Sequence, residues 1–299
     1  MSGNDAGQSS QDASSTPSSD PRTVASAWQP FTPRGLVAFS RAGSGRVLIL
    51  LWTVGLILAG TVVWFLNMAW FPAIRAAVHE LPAQGQISHR ELSTPRVSSH
   101  PLAEHRFLGF VVLVHDNGST DLTSHIAVKF RKKDYEICSI FGCWRLDYPA
   151  DWTIEFNRPE LEPRWAAWEP ILGGAAAILS FFGLLVLWML LGFVYSFIPT
   201  IWAALKKRDL SWPASYRLCL AAQMPGALLM VIAIWSYGLG LLDVLQFLVL
   251  AVVHLVMTWA YIGFSFSFLP PRHGTSRASN PFALSREAAD PSSPTVEKP

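Results

Sequence analysis

Residues 171–200 read ILGGAAAILSFFGLLVLWMLLGFVYSFIPT, a stretch without a single charged side chain. Three further apolar stretches cover residues 47–71, 218–237 and 243–268. A helix needs about 20 predominantly apolar residues to cross roughly 30 Å of hydrocarbon, and each stretch is long enough. Because backbone polar groups in lipid must pair within their own segment, the sequence predicts four transmembrane helices.

The composition of the whole chain agrees with this prediction. Only 15% of the residues are charged, whereas a soluble domain carries about 25%. The formal net charge of +2 is too small to indicate a nucleic-acid partner. The partner that the composition predicts is therefore the lipid bilayer, with no nucleic acid.

Basic residues flank some of the apolar stretches and not others. They precede the first stretch, follow the second and follow the fourth, at Arg22, Arg34, Arg41, Arg46, Lys206, Lys207, Arg208, Arg217, Arg272 and Arg277. Short cytoplasmic flanks carry an excess of Lys and Arg. We therefore expect both termini and the 203–217 loop in the cytoplasm, and residues 72–168 on the other side of the membrane.

The two ends of the chain are polar and rich in Ser, Pro and Asp. Such sequences bury too little apolar surface to offset the entropy of ordering. The sequence predicts disordered cytoplasmic tails over residues 1–46 and 270–299, with Trp28–Phe39 a candidate for the membrane interface. The first apolar stretch is too long for a cleaved signal and is expected to be an uncleaved anchor.

Residues 72–168 have a different pattern, in which short runs of alternating or continuous apolar residues are separated by turn signals. Asp116-Asn117-Gly118 is one such signal, because Asn-Gly accepts positive φ. We expect a small, mainly antiparallel β-domain of five or six strands. Its extended segments are Gln86–Leu92, Arg106–His115, His125–Phe130, Tyr135–Ile140, Trp144–Tyr148 and Trp152–Phe156.

Two cysteines of this segment, Cys138 and Cys143, flank a four-residue stretch that contains Phe141-Gly142. Across a hairpin outside the cytoplasm they favour a disulfide, which would stabilise by about 2 kcal/mol in the chain-entropy model. The alternative is two reduced, buried cysteines. No Cys or His spacing matches a metal motif, and no cofactor is expected.

The fourth apolar stretch contains polar residues at helical spacing. Asp243, Gln246 and His254 fall on one face of a helix, with Asp243 and His254 roughly 16 Å apart along its axis. Gln223 lies in the third stretch. Ionisable groups in a span are candidates for function, so these four residues form a candidate intramembrane polar site. Hydrogen bonding between helices is the alternative explanation.

Short motifs also resemble those of uncharacterised bacterial inner-membrane proteins, some of which are named for their proximity to maltodextrin-utilisation genes. The resembling segments are WFPAI at 70–74, LP at 81–82, GQI at 85–87, SYRL at 215–218 and MPGALL at 224–229. The order of one helix, an outside domain and three helices is similar as well, over residues 47–268. The resemblance implies a bacterial inner membrane with the β-domain in the periplasm.

Three functions remain open. The first is a non-enzymatic interaction or sensing protein whose residues 72–168 meet an envelope protein partner. The alternative is a transport or channel component that uses the polar face of residues 243–268, for which four helices would need a homo-oligomer. An enzyme is the third, although the chain contains no G-x-S-x-G, Walker A or H-E-x-x-H motif.

Overall fold

The computed structural model describes residues 31–41, 43–95, 100–113 and 123–271, and these form seven α-helices and seven strands. The helices are α1 (Pro33–Arg41), α2 (Ser44–Phe65), α3 (Phe71–His79), α4 (Arg158–Leu205), α5 (Trp212–Ala222), α6 (Met224–Gly238) and α7 (Val244–Ser265). A π-helical turn, Leu66–Trp70, joins α2 to α3, and a 3-10 turn, Phe266–Phe268, follows α7.

The described residues contain four helical rods that are long and apolar enough to cross a membrane. They are Ser44–His79, Arg158–Leu205, Trp212–Gly238 and Val244–Phe268. The four long apolar helices that the sequence predicts are therefore confirmed. The rods differ in burial. In the most apolar 18-residue segment of each rod, 61% is buried in the third rod and 11% in the fourth. The third rod is the centre of the bundle, and the fourth leaves most of its apolar surface uncovered.

The helices extend beyond the predicted limits. α4 begins at Arg158 rather than at residue 171, because Asn157 accepts a hydrogen bond from the Glu160 N–H and caps its first turn. The third rod begins at Trp212 rather than at 218, and it is interrupted at Gln223, just before Pro225. The predicted 203–217 loop is thus reduced to a short connection between Leu205 and Trp212.

The predicted disordered tail over residues 1–46 also needs a correction. Residues 33–41 form α1, whose Leu36 and Phe39 side chains are almost fully buried in the core of the bundle beside Leu51 and Leu218. These apolar residues provide the buried surface that the polar part of the tail lacks. Most of the two predicted tails, residues 1–30 and 272–299, lies outside the described residues.

Two residues explain why the helix has a π-helical turn at this point. Pro72 has no N–H to donate within the helix, and the Asn67 side chain donates to the Val63 carbonyl oxygen at 2.8 Å. A wider turn just before the proline accommodates the missing donor, so the helix continues into α3 rather than ending. The first rod therefore extends beyond its apolar stretch and brings α3 alongside the strands.

The strands form two sheets. A two-stranded hairpin contains β1 (Gln86–Ser88) and β2 (Glu91–Ser93). The larger sheet contains β3 (His100–Glu104), β4 (Leu108–Val112), β5 (Ile126–Phe130), β6 (Asp134–Ser139) and β7 (Gly142–Asp147), in that order. Its core contains Leu102, Val112, Tyr148 and Phe156, and it also buries Ala77 of α3.

The sheet is less regular than the sequence predicts. β4 and β5 pair in parallel, from Leu108 opposite Ile126 to Val112 opposite Phe130, whereas the Asn117-Gly118 signal favours a hairpin at this point. Parallel neighbours need a crossover of a dozen or more residues, and the connection from 113 to 125 is that long. Asn117 and Gly118 themselves lie outside the described residues.

The prediction also omits one strand and includes one that does not form. Residues 100–104 form β3, which the sequence did not predict because Pro101 interrupts its pattern. Conversely, Trp152–Phe156 forms only an isolated bridge, from Ile154 to Ile87.

Candidate functional site at the junction of sheet and helices

In addition to its packing on α3, the β-domain contacts the helices through one arginine and the aromatic side chains beside it. Arg106, between β3 and β4, donates from Nη1 to the Gly240 carbonyl oxygen and from Nη2 to the Leu242 carbonyl oxygen, each at 2.9 Å. Both acceptors belong to the turn between α6 and α7, where carbonyl groups at a helix end lack partners in their own helix. Arg106 therefore joins the sheet to the turn between the third and fourth rods.

The backbone around Arg106 is held by the segment that precedes β5. The His125 N–H donates to the Arg106 carbonyl oxygen at 2.9 Å, and the Ser124 hydroxyl donates to the His105 carbonyl oxygen at 2.6 Å. The Thr123 N–H and hydroxyl both donate to Glu104 Oε1, and these two hydrogen bonds lower the pKa of Glu104. The loop that presents the guanidinium is thus fixed on both sides.

Gly240 is required for this contact. Its φ is +78°, a conformation that L side chains rarely adopt, and a Cβ at this position would collide with the Arg106 guanidinium. The turn therefore provides both the bend and the space for the arginine.

An aromatic cluster lies beside the arginine. His125 Nδ1 is 2.6 Å from the Tyr237 hydroxyl, and the two rings stack at 5.5 Å. The Tyr237 ring also packs against Phe65, Phe107 and Phe247, with ring centroids 5.8, 5.1 and 5.0 Å away. These rings come from α2, α6, α7 and the β-domain, so the cluster joins three of the four rods to the sheet.

The charge of His125 is controlled by this environment. Burial lowers the pKa of His125, the Arg106 cation lowers it further, and the Asp243 carboxylate partly opposes both. A neutral imidazole can exchange one hydrogen bond with the Tyr237 hydroxyl. A protonated ring would add a second cation next to Arg106, so the junction favours the neutral form.

Two of the four residues of the predicted intramembrane site lie at the edge of this junction and cap a helix. Asp243 accepts from the Gln246 N–H at 2.7 Å, and the Gln246 side chain accepts from the Asp243 N–H at 3.0 Å. This reciprocal pair is a capping box at the start of α7. The two side chains therefore accept hydrogen bonds from backbone N–H groups at the start of α7, which have no acceptor within the helix.

The other two predicted residues lie apart from the first pair and bond elsewhere. His254 pairs through Nδ1 with the Ala251 carbonyl oxygen of its own helix. The Gln223 amide donates to the carbonyl oxygens of Trp188 and Cys219, at 3.3 and 3.2 Å. The structure does not join the four residues into one polar site.

Cys138 and Cys143 lie directly opposite one another on β6 and β7 and form a disulfide. Among the described residues, Glu136 and these two cysteines form the one group of metal-ligand types with its ligand atoms within 4.8 Å. Sulfurs that are bonded to each other are not thiolate ligands, so the group does not fit a metal.

A groove of about 500 Å³ lies between the π-helical turn and α4, lined by Val63, Asn67, Phe71 and Gly173 among others. Arg75 and Glu169 form an ion pair at 3.0 Å on its wall. The two charges satisfy each other, and the groove is open rather than enclosed. The groove has fewer polar groups in contact with one another than the junction, where an arginine and a histidine bond to carbonyl and phenol groups.

Sequence reasoning missed Arg106, His125 and Tyr237, because their partners are 112 to 136 residues away. One usable signal was Gly240 in the short turn before Asp243, since a glycine there favours a bend that exposes carbonyl groups. No protein family, curated protein or solved structure matches this chain.

Proposed function

We propose that the protein is a non-enzymatic, multi-pass membrane protein that meets an envelope protein partner through its β-domain and conveys the state of that domain to its helices. The observation that carries the proposal is the junction. Arg106 and His125 connect the sheet to Gly240, Leu242 and Tyr237, so a displacement of the sheet acts directly on the turn between two rods.

The proposed orientation has both termini in the cytoplasm and the β-domain outside. Its support is the separation of charge along the bundle. Arg208 donates to the Leu269 carbonyl oxygen at 2.7 Å, and the Arg34 guanidinium lies 5.1 Å from the Phe268 ring centroid. These basic residues gather at the end of α7 that is remote from the junction, as expected for a cytoplasmic end. The resemblance noted above supports a bacterial inner membrane.

The orientation is tested by cysteine labelling in spheroplasts. Lys133→Cys, in the β-domain, should react with a membrane-impermeant maleimide in intact cells. Lys206→Cys, at the other end of the bundle, should react only after permeabilisation. Labelling of both positions in intact spheroplasts would contradict the orientation.

The partner surface we propose is β7. It is the last strand of its sheet, and every residue from Gly142 to Asp147 is exposed. Its outer backbone groups are available to a further strand, and Trp144 and Leu146 add apolar area on one face. An envelope protein that adds a strand to β7 would pair its outer backbone groups and cover these apolar side chains.

The interaction is tested with a photo-crosslinking amino acid at Leu146 in the full-length protein in cells. We expect a discrete adduct at Leu146 and none at Lys206, the matched position at the other end. Partner binding should also change hydrogen exchange in residues 238–243, and Arg106→Met should abolish that change. The absence of an adduct, together with normal growth of cells after deletion of residues 86–156, would refute the proposal.

The transport alternative has no comparable support. It requires a continuous polar face, whereas Asp243 and Gln246 satisfy each other and Gln223 bonds to α4. We therefore propose interaction and sensing alone.

A further inference from the structure

The strands of the larger sheet stand roughly parallel to the first rod. At one end of β4, Phe107 packs against Phe65 of α2, with ring centroids 5.5 Å apart. At the other end, Val112 shares a core with Ala77 and Leu81. Phe65 and Ala77 are about 18 Å apart along a helix, and Phe107 and Val112 about 17 Å apart along a strand. Because the two distances are nearly equal and both ends are in contact, β4 runs alongside the part of the first rod between Phe65 and Ala77.

The pairing register then fixes which end of each strand faces the bundle. Leu108 and Ile126 are parallel partners at the Phe65 end, and Ile126 pairs with Ser139. The hairpin between β6 and β7 follows immediately, because Ser139 pairs with Gly142. The tip of this hairpin, Ile140-Phe141, therefore lies at the level of the outer helix ends.

The tip is also displaced sideways from the bundle. Neighbouring strands are about 4.8 Å apart, so β7 lies roughly 10 Å from β5, whose preceding residue His125 contacts Tyr237. Ile140, Phe141 and Trp144 are 51%, 70% and 56% exposed. The tip is therefore exposed at the level of the outer helix ends, the level at which a bilayer surrounding the helices would have its outer boundary.

The two ends of β6 differ in character. The tip facing the bundle reads Cys138-Ser-Ile-Phe-Gly-Cys143-Trp144 and has no charge, whereas the turn at the remote end reads Arg131-Lys-Lys-Asp134. The Cys138–Cys143 disulfide and the positive φ of Gly142, 116°, hold the apolar tip in one shape. A loop whose backbone is already ordered loses little entropy on binding.

We propose that this tip is a membrane anchor, which inserts Ile140 and Phe141 into the boundary between the headgroups and the acyl chains of the outer leaflet. Trp144, further up the hairpin, lies at headgroup depth, where indole rings are favoured. The lipid surface would cover an apolar patch that the described residues leave exposed. The anchor rests on the spanning helices and the orientation proposed above, and it gives the β-domain an attachment to lipid in addition to its contacts with α3 and the Arg106 junction.

The experiment uses the full-length protein in phosphatidylcholine liposomes that contain 20% phosphatidylglycerol. An environment-sensitive fluorescent amino acid is placed at position 141, at 133 on the remote turn, or at 179 within α4. Lipids brominated near the headgroup or near the chain centre serve as quenchers. We expect shallow bromolipid to quench position 141 at least threefold more than position 133, and deep bromolipid to quench position 179.

The outcomes separate the anchor from the spanning helices on which it rests. If position 179 is quenched and position 141 behaves like position 133, the anchor is wrong and the spanning helices stand. If position 179 is not quenched, the spanning helices fail, and the anchor with them. With the probe at position 140, Phe141→Asp should at least halve the quenching, whereas the control Lys133→Asp should leave it unchanged. Unaltered quenching in Phe141→Asp would also overturn the anchor.

Discussion

Polar side chains have different hydrogen-bond partners in the helix bundle and at its junction with the β-domain. Within the bundle, His254 and Thr258 bond to carbonyl groups three or four residues earlier in the same helix, and uncharged side chains such as Gln223 and Trp235 also bond to a neighbouring helix. At the junction, Arg106 reaches acceptors 134 and 136 residues away. The bundle therefore combines close contact between helices with hydrogen bonds of uncharged groups. The β-domain packs on α3 through apolar side chains, and its contact with the turn between α6 and α7 depends on the hydrogen bonds of one charged group, Arg106.

This difference separates two kinds of perturbation. A change of side-chain volume should damage the bundle and leave the junction intact. A change of hydrogen bonding or protonation should loosen the junction and leave the bundle folded. The four predictions below test that separation, beginning with the largest effect.

Gly226→Leu should cause the largest loss of stability. A Cβ at Gly226 would lie 2.8 Å from the His254 carbonyl oxygen, so α6 and α7 must separate. We expect a loss of about 1–3 kcal/mol, typical of overpacking, measured by SDS-induced unfolding in micelles. The matched control is Gly183→Leu, because a Cβ there meets no described atom within 4 Å. Equal losses for the two variants would show that close helix contact does not stabilise the bundle.

Arg106→Met should loosen the junction while the bundle remains folded. Hydrogen bonds to charged groups contribute about 1.5–3 kcal/mol, and the exposure of Arg106 reduces this to about 1–2 kcal/mol. Hydrogen exchange should accelerate in β4 and remain unchanged in α6. Arg145→Met serves as the control, since the Arg145 side chain is exposed and lies 3.9–4.0 Å from its carboxylate partners, and such loose pairs contribute about 0–1 kcal/mol. Unchanged exchange in β4 would contradict the proposed attachment.

The same contrast explains how much of the fold could be predicted. The apolar stretches specify helices without reference to any partner, so four long helices could be read directly from residues such as those at 171–200. The parallel pairing of β4 with β5 could not, because the local Asn117-Gly118 signal favours a hairpin and the true neighbour is chosen by the whole sheet. Helix ends shifted for a similar reason, since Asn157 acts as a cap only once Glu160 is helical.

The candidate site was predictable only in its location. Asp243 was identified as a polar residue at the end of a span, and its carboxylate does act on His125, whose pKa it raises against the larger effects of burial and Arg106. Periodicity could indicate which residues share a helix face, but not that Asp243 and Gln246 satisfy each other. The partners of Arg106 are backbone carbonyl groups, and apart from Gly240 in their turn no residue type indicates them in the sequence.

A smaller effect is expected in the hairpin between β1 and β2. Its two turn residues, His89 and Arg90, have φ values of 49° and 65°, which are costly for residues other than Gly, Asn and Asp. Replacing them with Asn-Gly should stabilise the β-domain by about 1 kcal/mol, measured by thermal unfolding. The control, with Ala at both positions, removes the same side chains without favouring positive φ. A gain in the control as large as that of Asn-Gly would refute the backbone explanation.

The smallest effect concerns pH, and it tests the junction alone. Because burial and Arg106 lower the pKa of His125 in the folded protein, the unfolded chain binds more protons as the pH approaches the usual histidine value of about 6.5. The contribution of His125 is therefore complete well above pH 6.5. This contribution is lost as the pH falls through 6.5 to the lower, folded-state pKa, and below that pKa it stays constant.

His125→Asn should remove this part of the pH dependence, measured as the difference in unfolding free energy between the parent and the variant from pH 8 to pH 5. Contributions that the parent and the variant share cancel in that difference. A difference that is independent of pH would show that the Arg106 cation and burial do not act on His125, whereas a fall confined to this window would identify the junction as the part of the molecule that responds to protons.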